Sequence, residues 1–126
     1  MEKVTGIGGV FFKAGDPEKL ASWYREQLGI DRADGFFGFE WRKKEAPEQI
    51  GRTIWSLFPA DTQYFNPSKS PFMVNYRVAN LDKMLQQLRA NGVEAGHVES
   101  SEFGRFAWVS DPEGNRIELW EPPVGG

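Results

Sequence analysis

The fold is decided by a stretch near the N-terminus that reads GVFFKAGD over residues 9–16 and PEKLASWYREQL over residues 17–28. In the first part, apolar side chains alternate as they do along a strand, and in the second they recur at helical spacing. Asp16 is a favourable N-cap, and Pro17 suits the first helical position, where a backbone N–H has no partner in any case. Gly29 suits the end of the helix. The stretch therefore predicts a strand that leads directly into a capped helix.

A closely similar unit occurs in the second half of the chain, where MVNYRVAN spans residues 73–80 and LDKMLQQLRA spans residues 81–90. The two candidate N-caps, Asp16 and Asn80, are 64 residues apart, and the first residues of the two strand motifs have the same offset. A repeat of this size indicates two similar modules in one chain.

Further stretches have the alternation or the aromatic content of strands. They are residues 35–42, 53–58, 93–98, 105–109 and 116–120. Each module therefore reads as a strand, a helix and about three strands. We predict an α+β fold with two βαβββ modules, about residues 4–59 and 71–122, whose mixed sheets form a cleft. The length of 126 residues suits a single domain over residues 1–126.

Composition narrows the classes of function. The formal charge of −3 argues against a nucleic-acid partner, which would need a basic face. No apolar run reaches membrane-spanning length, so no membrane partner is expected. Cysteine is absent, which removes disulfides, thiolate metal ligands and a thiol nucleophile. Because no signal peptide follows Met1, these features together favour a cytoplasmic protein.

Alternation along the strands separates a helix-covered face from an open face. The residues expected on the open face are Gly9, Phe11, Lys13, Met73, Asn75, Arg77, Arg116, Glu118 and Trp120. The helix aromatics Trp23 and Tyr24 are expected in the core. The linker over residues 59–71 contains Tyr64 and Phe65 and is expected to pack on the domain, whereas residues 122–126 are expected to fray.

The ending DPEGNRIELWEP over residues 111–122, with the double βαβββ pattern, resembles the glyoxalase, bleomycin-resistance and extradiol-dioxygenase superfamily, also called the vicinal oxygen chelate fold. The resemblance covers nearly the whole chain. It implies that metal-dependent members hold a divalent ion with His or Glu from the first and last strand of each module.

This sequence departs from that ligand pattern. Gly9 and Met73 occupy the first-strand positions where His is expected, and only Glu118 matches a last-strand carboxylate. The repeat places Trp55 at the equivalent position of the first module. A lone carboxylate does not hold a catalytic metal, so we predict no bound metal and no other cofactor.

Several residues have two interpretations at this stage. Glu118 is either a general acid or base, or a carboxylate paired with Arg77 or Arg116. His97, the only histidine, is either a displaced ligand or general base, or a surface or hydrogen-bonded residue, and the second interpretation is favoured. Lys13 and Arg77 either meet an anionic ligand or solvate the mouth of the cleft, and the second is again favoured.

Three functions compete. The first is a metal-free protein that binds a small organic ligand, the second a glyoxalase-like enzyme that uses Glu118, and the third a non-catalytic assembly module. The first is preferred, and its expected ligand-binding residues are Phe11, Lys13, Trp55, Met73, Asn75, Arg77 and Trp120, with Glu118 orienting polar groups. Trp55 has alternatives in Ile54, Ser56 and Phe58. The aromatic open faces also predict a homodimer.

Overall fold

The structure is a computed structural model that describes residues 1–32 and 35–126. Seven strands and two helices follow one another along the chain. In order they are β1 (Val4–Ala14), α1 (Pro17–Leu28), β2 (Phe36–Arg42), β3 (Ile50–Pro59), β4 (Phe72–Val78), α2 (Leu81–Ala90), β5 (Glu99–Ser101), β6 (Gly104–Ser110) and β7 (Arg116–Glu121). The predicted α+β class and both predicted helices are confirmed. The stretch 93–98 is not a strand, and β5 begins at Glu99 instead.

The strands form one mixed sheet in the order β2-β3-β1-β4-β7-β6-β5. The two modules meet where β1 pairs antiparallel with β4, with Val10 opposite Val74. Within each module the first strand pairs parallel with the last, β1 with β3 and β4 with β7. Among the described residues, two strands follow the helix in the first module and three in the second.

Both helices lie on the same face of this sheet. Phe12 of β1 packs in the cluster under α1 with Ala21 and Leu57. Phe12 is paired with Phe72 of β4, so even-numbered residues of β4 share its face. Among these, Tyr76 packs in the cluster under α2. Burial of these two clusters is the main source of stability, at roughly 25 cal/mol per Å² of apolar surface. Neither helix in the described ranges has the length and apolar character needed to cross a membrane.

Local capping explains why the helices begin where predicted. The side chains of Asp16 and Asn80 accept hydrogen bonds from the backbone N–H groups of Lys19 and Lys83. Gly29 ends α1 in the left-handed conformation, with φ of 71°.

The apolar face of α1 is narrower than predicted. Tyr24 packs beneath the helix, but Trp23 is 52% exposed. The expectation that Trp23 lies in the core is therefore wrong. The two aromatic residues are neighbours in sequence and lie about 100° apart around the helix, so only one can point directly at the sheet.

The open face is partly covered by two irregular segments. The linker between β3 and β4 inserts Phe65, which is completely buried against Phe11 and Met73. The C-terminal segment also folds back, since Arg77 donates a hydrogen bond to the carbonyl oxygen of Gly126 at 2.9 Å. The expectation that residues 122–126 fray is wrong, because this segment has a partner that local sequence does not reveal.

Candidate ligand-binding site

A cavity of about 510 Å³ lies on the open face of the sheet. Its wall is mainly aromatic and its polar groups are few. The lining residues are Gly8, Phe11, Phe36, Arg52, Ile54, Asn75, Phe103, Phe106, Glu118, Trp120, Pro123 and Gly126. This volume and apolar character are typical of sites for small organic molecules.

Strand register brings the cavity residues together. Asn75 of β4 is paired with Glu118 of β7, and directly paired residues project to the same face. Phe11 of β1 lies on that face too, where it packs against Met73. The structure thus places Phe11, Asn75, Glu118 and Trp120 around the cavity, as alternation along the strands predicts.

The polar centre of the cavity is the carboxylate of Glu118, which is only 2% exposed. Its Oε1 accepts a hydrogen bond from Asn75 Nδ2 at 2.5 Å, and its Oε2 accepts one from Trp108 Nε1 at 2.9 Å. The hydroxyl of Tyr64 donates to the same Oε2. Three neutral donors therefore replace the solvation that burial removes.

Glu118 has no ion-pair partner within 4 Å among the residues that the structure describes. The interpretation that it pairs with Arg77 or Arg116 is therefore wrong. Arg116 instead lies against the Trp108 ring, with its guanidinium carbon 5.5 Å from the ring centroid.

Tyr64 is tied electrostatically to this carboxylate. Tyr64 is 40% exposed overall, and its partial burial raises its pKa; the charge of Glu118 and the hydrogen bond to it raise the pKa further. The Tyr64 ring also stacks on Phe58, with centroids 5.4 Å apart. The tyrosine is thus held as a neutral hydrogen-bond donor.

A second buried acceptor lies beside Glu118. Asn75 is 2% exposed, and its Oδ1 has no hydrogen-bond partner among the described residues. Gly8 faces this oxygen, and a Cβ at that position would overlap it and lie 2.8 Å from Trp120 Cε3. The absence of a side chain at Gly8 is therefore a geometric requirement of this part of the cavity.

Arg77 is a structural cation at the cavity edge. It is 5% exposed, and its guanidinium carbon lies 5.1 and 5.2 Å from the ring centroids of Trp41 and Trp120. It donates to the carbonyl oxygens of Arg52 and Gly126. Burial lowers its pKa. It positions Trp120 and the C-terminal segment, and it does not line the cavity wall.

Two other predicted ligand contacts lie on the open face but away from the cavity wall. Met73 is buried in the cluster with Phe11 and Phe65. The Nζ of Lys13 lies 5.5 Å from the centroid of the Phe65 ring. Both expectations assumed an open space beside these side chains that a ligand could enter. The linker fills that space with Phe65.

Trp55 is not a cavity residue, and this prediction is wrong. Trp55 packs under α1, where its ring lies 4.9 Å from that of Tyr24. The register shows why. Asn75 faces Glu118 between β4 and β7, and the equivalent pair between β1 and β3 is Phe11 with Ser56. Glu118 therefore corresponds to Ser56, which lies 62 residues earlier, and not to Trp55, which lies 63 residues earlier. A shift of one residue along a strand moves every side chain to the other face.

Sequence reasoning missed several cavity residues. Alternation along β6 places Phe106 and Trp108 on the same face as Glu118 and Trp120. This alternation can be recognised in the sequence alone. Ile54, a stated alternative to Trp55, does line the cavity, and Arg52 follows from the same register of β3. The hydrogen bond from Tyr64 spans 54 residues, and no local pattern reveals it.

Comparisons with known proteins agree with this architecture. The sequence profile of the Glyoxalase/Bleomycin resistance protein/Dioxygenase superfamily matches residues 6–119. The chain belongs to this superfamily. No curated protein matches the sequence.

Solved structures of the superfamily share the fold at low sequence identity. The methylmalonyl-CoA epimerase from Mycobacterium tuberculosis is 21% identical, with a TM-score of 0.58 over 95% of this chain and 89% of that chain. A variant of the Streptomyces coelicolor methylmalonyl-CoA epimerase, in complex with 2-nitronate-propionyl-CoA, is 14% identical, with a TM-score of 0.69 over 98% of each chain. A catechol 2,3-dioxygenase is 20% identical, with a TM-score of 0.55 over 96% of this chain and 42% of that chain.

The residues at the metal position of the superfamily do not fit a divalent ion. A side chain at Gly9 would begin 2.8 Å from the Phe11 ring, which fills the place of the expected histidine side chain. Met73 offers only a thioether, a poor ligand for such an ion. The described residues contain no group of three or more His, Cys, Asp or Glu side chains arranged to hold a metal.

His97 lies elsewhere. It is exposed and borders a second cavity of about 710 Å³, which also includes Trp108 and Arg116. Its exposure agrees with the interpretation of a surface histidine. Trp108 contributes to both sites. It borders this second cavity, and its N–H donates a hydrogen bond to Glu118 at the floor of the first.

Proposed function

We propose that the protein binds a small, partly aromatic organic molecule in the cavity on the open face, without a divalent ion. The observation that carries this proposal is an aromatic-walled cavity with two buried acceptors, Glu118 and Asn75, at its floor. Apolar walls supply affinity by removing ligand surface from water, and a few fixed polar groups orient the ligand.

The walls favour a flat ligand. The rings of Phe106 and Trp120 are nearly parallel, at 5° with centroids 6.2 Å apart. On the other side of Phe106, the ring of Trp108 is inclined by 16°. Phe11 and Phe36 complete the apolar surface. Because the faces of Phe106 lie against its neighbours, a flat ligand meets the edges of these rings, and each good aromatic contact contributes on the order of 1 kcal/mol beyond burial.

The test is a thermal-shift and calorimetric screen with small aromatic molecules. Phe106→Ala removes a cavity wall and should weaken any binding found. Phe39→Ala is the matched control, since Phe39 is 43% exposed and lies outside the cavity. Equal affinity in both variants, or no stabilisation of the wild type by any compound, would overturn the proposal.

A second candidate function is an enzyme that uses Glu118 to move a proton. One observation favours it: a buried carboxylate lines a cavity of substrate size and is hydrogen-bonded to Tyr64. A carboxylate can take a proton from a carbon next to a carbonyl when the two are in contact. The check is proton exchange in D2O, followed by NMR, with methylmalonyl-CoA as the probe because methylmalonyl-CoA epimerases share the fold. Exchange that Glu118→Gln abolishes would favour the enzyme over the binding protein.

A further inference from the structure

The floor of the cavity presents hydrogen-bond acceptors that lack donors. A carboxylate has about four acceptor positions. Glu118 uses two on Oε2, for Tyr64 and Trp108, and one on Oε1, for Asn75. One position on Oε1 therefore has no donor among the residues that the structure describes. Oδ1 of Asn75 is also without a partner among the described residues, and the amide is oriented by its bond to Glu118.

These two oxygens are held in place rather than exposed to water. Glu118 and Asn75 are each 2% exposed. Leaving a buried polar group unpaired costs free energy, because the group has lost its hydrogen bonds to water. A ligand that brings N–H groups to this floor recovers that cost, whereas a ligand that brings only acceptors meets repulsion.

The floor also carries a carboxylate with no cation in direct contact, although the charge of Arg116 acts on the Tyr64 hydroxyl beside it. The three donors to Glu118 are neutral, and no cation lies within 4 Å of it in the described part of the chain. Nearby arginines are engaged elsewhere. Arg52 pairs with Glu40 at 3.0 Å, and Arg77 lies between Trp41 and Trp120.

The walls suit a positive charge as well. Aromatic faces carry a negative electrostatic potential and attract cations within about 6 Å of the ring centroid. Phe36 and Phe103 are 39% and 57% exposed and line the same cavity as the carboxylate, whereas the faces of Phe106 and Trp120 lie against neighbouring rings and Arg77. The carboxylate and the aromatic lining together are complementary to an ammonium group that carries an apolar body.

We infer that the cavity takes an organic cation, a protonated amine or amidine that donates an N–H to Glu118 Oε1 while its apolar body packs against the aromatic lining of the cavity. The inference rests on the proposed function and adds the charge of the ligand. It also assigns Glu118 the role of counter-ion, which requires no metal and no reaction step.

The experiment compares three probes with one ring system: tryptamine as the cation, indole-3-ethanol as the neutral molecule and indole-3-acetate as the anion. Calorimetric affinities are measured at neutral pH for the wild type. Tryptamine should bind about tenfold or more tightly than indole-3-ethanol, the effect of one charged hydrogen bond, and indole-3-acetate should bind most weakly.

Variants locate the source of the preference. Glu118→Gln keeps the side-chain size and removes the charge, so tryptamine should fall to the affinity of indole-3-ethanol. Glu113→Gln is the matched control, since it makes the same charge change on an exposed turn outside the cavity. It should leave the preference unchanged. Circular dichroism checks that both variants are folded.

The outcomes separate the two proposals. Equal affinity for tryptamine and indole-3-ethanol would overturn the cation inference and leave the proposed function standing. Tighter binding of indole-3-acetate would also overturn it, because Arg52, which lines the cavity, would then dominate recognition. If none of the three probes binds at millimolar concentration, both the cation inference and the binding of aromatic molecules fail. If Glu118→Gln does not fold, the order of affinities in the wild type still decides.

Discussion

At the scale of single residues, the site depends on two glycines, because their lack of a side chain leaves room for neighbouring groups. Gly8 leaves room for Asn75 Oδ1, and Gly9 leaves room for the Phe11 ring. A histidine cannot replace Gly9 without displacing Phe11, which is buried against Phe65 and Met73. The Phe11 ring therefore both lines the aromatic cavity and occupies the space that a side chain at residue 9 would need.

Gly8→Ala tests this close approach. The added Cβ overlaps Asn75 Oδ1 and lies 2.8 Å from Trp120, so we expect a loss of about 1–3 kcal/mol in the free energy of unfolding. Urea denaturation measures the change. The control is Gly38→Ala, also in a strand, where the nearest atoms are at an ordinary 3.6 Å. Equal effects in the two variants would show that Gly8 is not sterically restricted.

Tyr64 provides a pH-dependent readout. Burial and the Glu118 carboxylate raise its pKa above the usual value near 10.0. The folded state thus keeps a proton that the unfolded state loses. The stability contribution of this group is complete below about pH 10 and falls as the pH rises through the raised pKa of the folded state.

The absorbance of tyrosinate measures whether Tyr64 keeps its proton in the folded state. At about pH 10.5, an unperturbed tyrosine is mostly ionised. Native wild type and native Tyr64→Phe should show the same phenolate signal, because Tyr64 contributes none. On unfolding in denaturant at that pH, the wild type should gain one additional phenolate. A larger native signal in the wild type would contradict the prediction.

At the scale of elements, the linker between β3 and β4 completes the site. It carries Tyr64, which binds Glu118, and Phe65, which fills the space beside Phe11 and Met73. The linker therefore separates the cavity from Lys13, whose Nζ lies over the Phe65 ring. A segment without helix or strand thus decides which part of the open face is accessible.

Phe65→Ala should destabilise the protein by about 3–5 kcal/mol, because the ring is completely buried. Phe103→Ala is the comparison, since Phe103 is 57% exposed, and its effect should be near ~0.5 kcal/mol or less. Both are measured by urea denaturation. If Phe65→Ala cost no more than Phe103→Ala, the linker would not be packed as described.

At the scale of the whole molecule, the sheet ends in an exposed edge. Strand β2 lies at one end of the strand order and carries Phe36 and Phe39, which are 39% and 43% exposed. An edge with unpaired backbone groups and apolar side chains favours pairing with another chain. The helix-covered face is already filled by the two core clusters.

We expect a homodimer at micromolar concentration, measured by light scattering. Phe39→Lys should shift the equilibrium towards monomer, because a lysine on an edge strand opposes strand pairing. Lys44→Arg, an exposed substitution in the loop after β2, is a control that should not alter the mass. A monomeric wild type would contradict the prediction.

Metal content is a second property of the whole protein. Glu118 is the only carboxylate at the metal position of the superfamily, and neutral donors hold its oxygens. We expect no stoichiometric Zn, Ni, Fe or Mn in protein purified without added metal or a metal-binding tag. Stoichiometric metal by elemental analysis, lost in Glu118→Gln, would refute this expectation.

The sequence by itself determined what depends on neighbouring residues. The bounds of both helices were predicted because N-caps and apolar spacing act within a few residues. The open-face placement of Phe11, Asn75 and Glu118 was predicted because alternation is a local property of strands. Only the tertiary structure decided the placement of Trp55, since its face depends on the register between β1 and β3. It also decided the partners of Glu118, because Tyr64 reaches the carboxylate from a linker 54 residues away, and packing across that distance leaves no periodic pattern.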